Sequence, residues 1–323
     1  MSRFEALVDP LLDEMGIDFE GLHVVCLGGG HGLAQALLAV QEYADVITAV
    51  VSVADDGGSS GRLAPAFDLP PPGDSRKALL ALSPSETLWY RLMEHRFEGG
   101  DVAGHSMGNL ILTALAQLSG GLEDALHTAG RLLGARGAVV PAAAIPLRLE
   151  ATVGGRLVAG QAAISRSRGG IEELRVLPED ARATRLATDA IASADQIVIG
   201  PGSLFTSLVA DLKVPGIVEA VNASEGTLTY IGNLTTQDGE TLGLDLAAHL
   251  AALTHHTGMR MPDTVVAHHG ALPVPEGLEA VSVAHDEVER MGCRLEAADL
   301  ADAGADWPQH DPARLGAVLR RLA

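Results

Sequence analysis

Twice along this chain a short, unbroken apolar run stops at a glycine-rich turn that opens a helix, and this pattern constrains the fold more than any other feature. Leu22–Leu27 ends at Gly28, Gly29-Gly30-His31-Gly32 follow, and residues 31–43 place Leu33, Ala36, Leu37 and Val40 at helical spacing. Gln196–Ile199 likewise leads into Gly200-Pro201-Gly202 and a helix from Ser203. Short runs without alternation predict strands covered on both faces, as in parallel sheets. A second run, Val46–Val53, completes a strand–helix–strand unit. Further strands are expected at 227–231, 264–267 and 279–283. Helices are expected at 74–82, 85–97, 106–118, 122–134, 243–256 and 312–322. Alternating runs at 145–152 and 173–177 predict a small antiparallel excursion together with residues 138–165. The fold class is therefore α/β: a Rossmann-like, doubly wound, mainly parallel sheet in three α/β/α layers. No repeat or linker divides residues 1–323, so one domain is expected.

Composition narrows the ligands. The net charge is −20, and Lys77 and Lys213 are the only lysines. Nucleic acid and anionic lipid both need Lys and Arg to replace counterions, so neither nucleic-acid binding nor membrane insertion is expected. An anionic ligand must instead be held by backbone N–H groups and a few arginines. Aromatic residues make up 3% of the chain, which argues against a stacking groove for single strands. Cys26 and Cys293 stand far apart, which fits a reducing compartment. Met1–Glu20 has no apolar core of a secretory signal, and Gly137–Leu147, broken by Pro141 and Pro146, is too short to cross a bilayer. A cytoplasmic location is expected.

The loops carry the chemistry. Gly28, Gly29, Gly30, His31 and Gly32 sit between strand and helix, where glycines allow close approach to a phosphate and the helix start offers free N–H donors. A tight turn needs the same glycines for shape alone. The dinucleotide fingerprint calls for a further glycine where this chain has Leu33, which disfavours a nicotinamide-dependent oxidoreductase. Asp55 and Asp56 follow the second strand, in a Gly/Ser/Pro-rich segment spanning 54–73. They can accept ribose hydroxyls or hold Mg²⁺ beside a diphosphate. Gly73 turns the chain, Asp74 caps a helix or meets the ligand, and Arg76 offers a bidentate donor to phosphate. Gly104-His105-Ser106-Met107-Gly108-Asn109 has the outline of a nucleophile elbow but lacks the buried strand that an elbow needs. His105, Gly108 and Asn109 are read as ligand contacts at a glycine-lined helix start. Gly200, Gly202, Ser203, Thr206 and Ser207 repeat the logic of the first loop, with Ser203 also suited to plain capping. Asn233, Thr236 and Gln237, after the 227–231 strand, suit a nucleobase or sugar edge. The histidines show no HExxH spacing, so no zinc site is expected. No catalytic residue can be assigned.

These loops, in this order, resemble the YvcK/CofD-like (gluconeogenesis factor) family. GGGHGL at 28–33 is similar to the family's GGGTGL, and ADDGGSSGRL at 54–63, PPGD at 71–74, GHSMGNL at 104–110 and GPGSLFTS at 200–207 match as well. The resemblance covers about residues 22–322. It implies one of two functions. One branch moves a phospholactyl group from a guanosine diphosphate carrier to a deazaflavin with a metal ion. The other binds UDP-sugars such as UDP-N-acetylglucosamine and supports cell shape and wall synthesis on gluconeogenic carbon sources. The 54–63 loop followed by PPGD is similar to the second branch. That likeness implies UDP-sugar contacts at Gly29, Gly30, Asp55, Asp56, Asn109, Gly202, Ser203 and Gln237. The expectation is a non-catalytic UDP-sugar-binding homodimer with cell-wall synthesis regulators as partners. No resident cofactor is expected beyond that ligand and Mg²⁺, and the CofD-like phosphotransferase is the alternative.

Overall fold

The computed structural model describes residues 21–323; the expectation for Met1–Glu20 lies outside the described residues. Ten strands form two sheets. Seven of them, β1 (His23–Gly28), β2 (Val46–Val51), β3 (Ala138–Pro141), β7 (Gln196–Ile199), β8 (Thr227–Ile231), β9 (Thr264–His268) and β10 (Arg294–Ala298), make a central sheet in the order β10-β9-β8-β7-β1-β2-β3. Every pairing in it is parallel. Three more, β4 (Arg148–Val153), β5 (Arg156–Ala159) and β6 (Ile171–Leu177), form an antiparallel sheet in the order β5-β4-β6. All six residues of β1 and of β2 are buried, as unbroken apolar runs require when helices cover both faces. With few aromatics available, Val, Ala, Leu and Ile fill the core, and among the described residues Tyr230 is the largest fully buried side chain.

The strand order reverses between β1 and β7, because the chain winds toward β2 and β3 on one side and toward β8–β10 on the other. In open α/β sheets a crevice forms at that switch point, outside the carboxyl ends of the strands. Both glycine-rich turns leave from those two strands.

Several elements differ from the sequence reading. Residues 58–67 form a helix despite their Gly/Ser/Pro composition. Gly61 makes it fit, since a Cβ there would overlap the carbonyl of Asp56. Residues 138–141 join the central sheet beside β2 rather than the antiparallel excursion. Residues 279–283 do not form a strand of the sheet. Ala280 makes an isolated bridge to Thr235, and the place beside β9 goes to β10, whose Arg294-Leu-Glu-Ala-Ala sequence gives little apolar signal at an edge. The helix after Ser203 begins as a π-helix over Leu204–Val209, in which the amides of both Ser207 and Leu208 donate to the Ser203 carbonyl.

Candidate functional site

The crevice at the switch point is a cavity of about 840 Å³. Gly29, Gly30, His31 and Gly32 form one wall and Pro201, Gly202, Ser203 and Ser207 the facing one. The two loops touch. A Cβ on Gly32 would lie 2.6 Å from the Pro201 carbonyl carbon and 3.0 Å from the Gly202 amide nitrogen, so only glycine lets them meet. Asn233 then ties the second loop to the end of β8: its Oδ1 accepts from the Gly202 amide at 3.1 Å and its Nδ2 donates to the Gly202 carbonyl at 2.9 Å. Thr236 and Gln237 complete this side of the cavity. Thr236 is held by the segment at Glu279, its amide donating to the Glu279 carbonyl and its hydroxyl accepting from the Glu279 amide. Of the residues singled out from sequence, ten thus line one cavity.

Gly28 and Gly200 stand behind it. Gly200 has φ +82°, and a Cβ there would come within 3.0 Å of the Ile231 carbonyl, so it serves the turn itself.

Beneath the first loop lies a carboxylate group. An Asp74 oxygen sits 2.6 Å from where a Cβ on Gly29 would be, and Lys77 Nζ pairs with that carboxylate at 2.9 Å. Asp55 Oδ2 and Ser60 Oγ crowd Gly73 in the same way. Burial, and then the charge of Asp74, raise the Asp55 carboxyl above its ordinary range, while the Gly57 amide and Ser60 hydroxyl oppose the shift. Fully buried Asp211 is pushed well up by burial, tempered by a bond from Ser52, with Asp74 again adding repulsion. His31, at the cavity edge, is lowered by partial burial and by Lys77, with Asp74 working the other way. Among the described residues no group of three or more His, Cys, Asp or Glu side chains is arranged to hold a metal ion.

The remaining candidates do not line the cavity. Asp56 points to the short Gln161–Ile164 helix that follows β5, where its Oδ1 accepts from the Ala162 amide at 2.8 Å. Arg76 is buried, with Nε donating to Asn109 Oδ1 at 3.0 Å and an Nη donating to the Met93 carbonyl at 3.2 Å. Two of its N–H groups are thus engaged inside the protein. Gly108 makes room for it, since a Cβ there would meet the Arg76 side chain at 2.6 Å. Ser106 is the N-cap of the Met107–Ser119 helix, accepting from the Asn109 amide, and no strand precedes it. His105 is buried with its Nδ1 3.0 Å from Ser59 Oγ; burial, then Arg62 and Arg96, hold it below its ordinary value. Thr206 turns from the cavity and donates to Glu240 Oε1 at 2.5 Å.

Sequence reasoning missed Glu240, which explains that last placement. Its buried carboxylate also accepts from the amides of Phe205 and Thr206 and from the Ser165 hydroxyl. An internal anion thus occupies part of the helix start that looked free for phosphate. Gln35, Trp307 and His310 were missed as well, although they line the cavity. Gln35 lies one helical turn beyond His31, a spacing that could have revealed it.

The fold defines an α/β protein with a parallel, doubly wound sheet and paired glycine-rich turns at its switch point, and its relatives give the family. The chain belongs to the family described as "2-phospho-L-lactate transferase CofD", whose profile matches residues 24–301. It is 42% identical over 248 residues to the gluconeogenesis factor of Halalkalibacterium halodurans, covering 76% of this chain and 77% of that one. It is 37% identical over 305 residues to the gluconeogenesis factor of Bacillus subtilis, covering 92% and 96%. A crystal structure of a UPF0052 family member from Bacillus halodurans superposes with a TM-score of 0.88 at 35% identity, covering 94% of this chain and 99% of that one. Among the described residues no helix is long and apolar enough to cross a membrane.

Proposed function

We propose that the chain binds a nucleoside diphosphate sugar of the UDP-N-acetylglucosamine type and acts in the cytoplasm, as a homodimer, in the control of central metabolism and wall synthesis. One observation carries this reading. Two glycine-rich turns from adjacent central strands meet at the switch point and wall a single cavity. Backbone amides there can take a diphosphate without lysines or arginines, as a chain of net charge −20 requires. A cavity of about 840 Å³ is of a size that encloses a nucleotide-sized ligand. The names of the relatives, gluconeogenesis factors, support the metabolic setting.

The second reading is a CofD-like phosphotransferase, favoured by the family match and by Asp74 close under Gly29, with Asp55 beside Gly73. Native mass spectrometry of the protein purified without added ligand tests the proposal. A retained mass that dissociates as a UDP-sugar supports it, and retention of a guanosine diphosphate conjugate favours the transferase.

A further inference from the structure

Away from the switch-point cavity, one group of basic side chains is gathered without a counter-charge. Residues 95–107 fold back on themselves. The Phe97 amide donates to the His105 carbonyl, the Gly104 amide to the Phe97 carbonyl and the Met107 amide to the His95 carbonyl. This ladder fixes the carbonyls of Ala103 and Gly104, and an arginine hangs on each. Arg62 Nη2 donates to Ala103 at 2.8 Å and Arg96 Nη1 to Gly104 at 2.6 Å. The fit is close, since a Cβ on Gly104 would stand 3.2 Å from Arg62 Nη2. Both arginines are exposed. Each spends one N–H on a carbonyl and keeps the rest of its fork free.

Carboxylates are abundant in this chain, 42 against 22 Lys and Arg. Arg260 and Arg314 each meet an aspartate, yet among the described residues neither Arg62 nor Arg96 is ion-paired. Two further groups feel their charge. Burial first, then Arg62 and Arg96, hold His105 below its ordinary value, and Arg76 is lowered by burial and next by Arg96. Cations grouped in this way repel one another, and an anion among them relieves the repulsion. The Ser59 hydroxyl, 3.0 Å from His105 Nδ1, has no other acceptor among the described residues, so it donates to that nitrogen. His105 then carries its proton on Nε2, which no protein group accepts.

We propose that Arg62, Arg96 and His105 form a second anion site, separate from the switch-point cavity, for the dianionic phosphoryl group of inorganic phosphate or of a small phosphate monoester. A guanidinium fork matches a pair of phosphoryl oxygens, and His105 Nε2–H supplies a further donor. A carboxylate has a single charge and too few oxygens to engage both forks and the imidazole. The site does not depend on the nucleotide reading given above.

Histidine-selective NMR of the whole chain tests it, with the His105 resonance identified by its loss in His105→Gln. At constant ionic strength, phosphate and glycerol 3-phosphate should each move that resonance saturably, the tighter of the two identifying the source, while acetate leaves it in place. Arg62→Gln and Arg96→Gln, both at the surface, should each weaken phosphate by about threefold to tenfold, and the double variant should abolish the movement. The phosphate curve should be the same with and without UDP-N-acetylglucosamine. A His105 resonance that phosphate does not move, that sodium chloride moves as far, or that responds equally in the double variant overturns the proposal. Displacement of phosphate from His105 by UDP-N-acetylglucosamine overturns it too, because the site would then belong to the nucleotide cavity.

Discussion

Gly32→Ala probes the contact on which the cavity depends. The added Cβ would stand 2.6 Å from the Pro201 carbonyl carbon and 3.0 Å from the Gly202 amide nitrogen. Ordinary carbon contacts begin near 3.5 Å, so the loops must part by roughly 1 Å. The obstruction is backbone on both sides, and no flexible side chain can swing clear. Overpacking of this kind costs about 1–3 kcal/mol. For a chain of this size each kcal/mol lowers Tm by about 2–4 °C, giving a fall of roughly 2–12 °C. UDP-sugar affinity should fall with it, because Gly202 and Ser203 ride on the displaced loop. The assay is a thermal melt with and without UDP-N-acetylglucosamine, with Gly99→Ala as control, since a Cβ there meets nothing within 4 Å. Gly32→Ala melting within a degree of wild type, with the ligand-induced shift intact, would refute the claim that this contact fixes the cavity.

Other perturbations read other parts of the account. Glu240→Ala strips the acceptor from two amides and two hydroxyls; urea denaturation should show a loss of about 3 kcal/mol, and a loss under 1 kcal/mol would contradict its capping role. Burial lowers His23, His249, His268 and His310, the last to about 4. With folded values below the unfolded one, the unfolded state binds more protons as pH falls, so this stability is present above pH ~6.5 and lost between ~6.5 and ~4. From pH 7 to 5 His310 alone should cost about 2 kcal/mol, and His310→Asn should flatten that slope; an unchanged slope refutes the assignment. His31 starts from a lowered value, so phosphate beside it should strengthen UDP-sugar affinity as pH drops toward and below about 6. His31→Thr removes that dependence if His31 meets the ligand, and an unaltered affinity–pH profile in the variant places it outside.

Where residues carry their own environment, the sequence was readable. Val24–Leu27 and Ile197–Ile199 are apolar without alternation because both sheet faces are covered, and the turns after them had to lie at carboxyl ends of parallel strands. Hence the glycine loops and the fold class emerged together. What was hidden depends on distant partners. Asp56 and Arg76 have the chemistry of ligand contacts, but one reaches Ala162 and the other Asn109 and Met93, and no local pattern encodes those pairings. Glu240 lies 34 residues from Thr206 in sequence, so the helix start looked unoccupied. Residues 58–67 misled because Gly61 and the serines suit a loop by propensity, while close packing on Asp56 is what demands the glycine. Trp307 escaped notice because a whole-chain aromatic count says nothing about where one indole is placed.

The central claim is that the two glycine loops bind the diphosphate of a nucleotide sugar through backbone amides, without a protein-held metal. Calorimetric titration of UDP-N-acetylglucosamine into the purified protein in EDTA tests it most directly. The account predicts a single saturable site whose affinity is unchanged by EDTA, is displaced by UDP, and far exceeds that for inorganic phosphate. Equal affinity for phosphate would contradict nucleotide recognition, and loss of binding in EDTA would contradict the backbone cradle and return the site to a metal-dependent transferase.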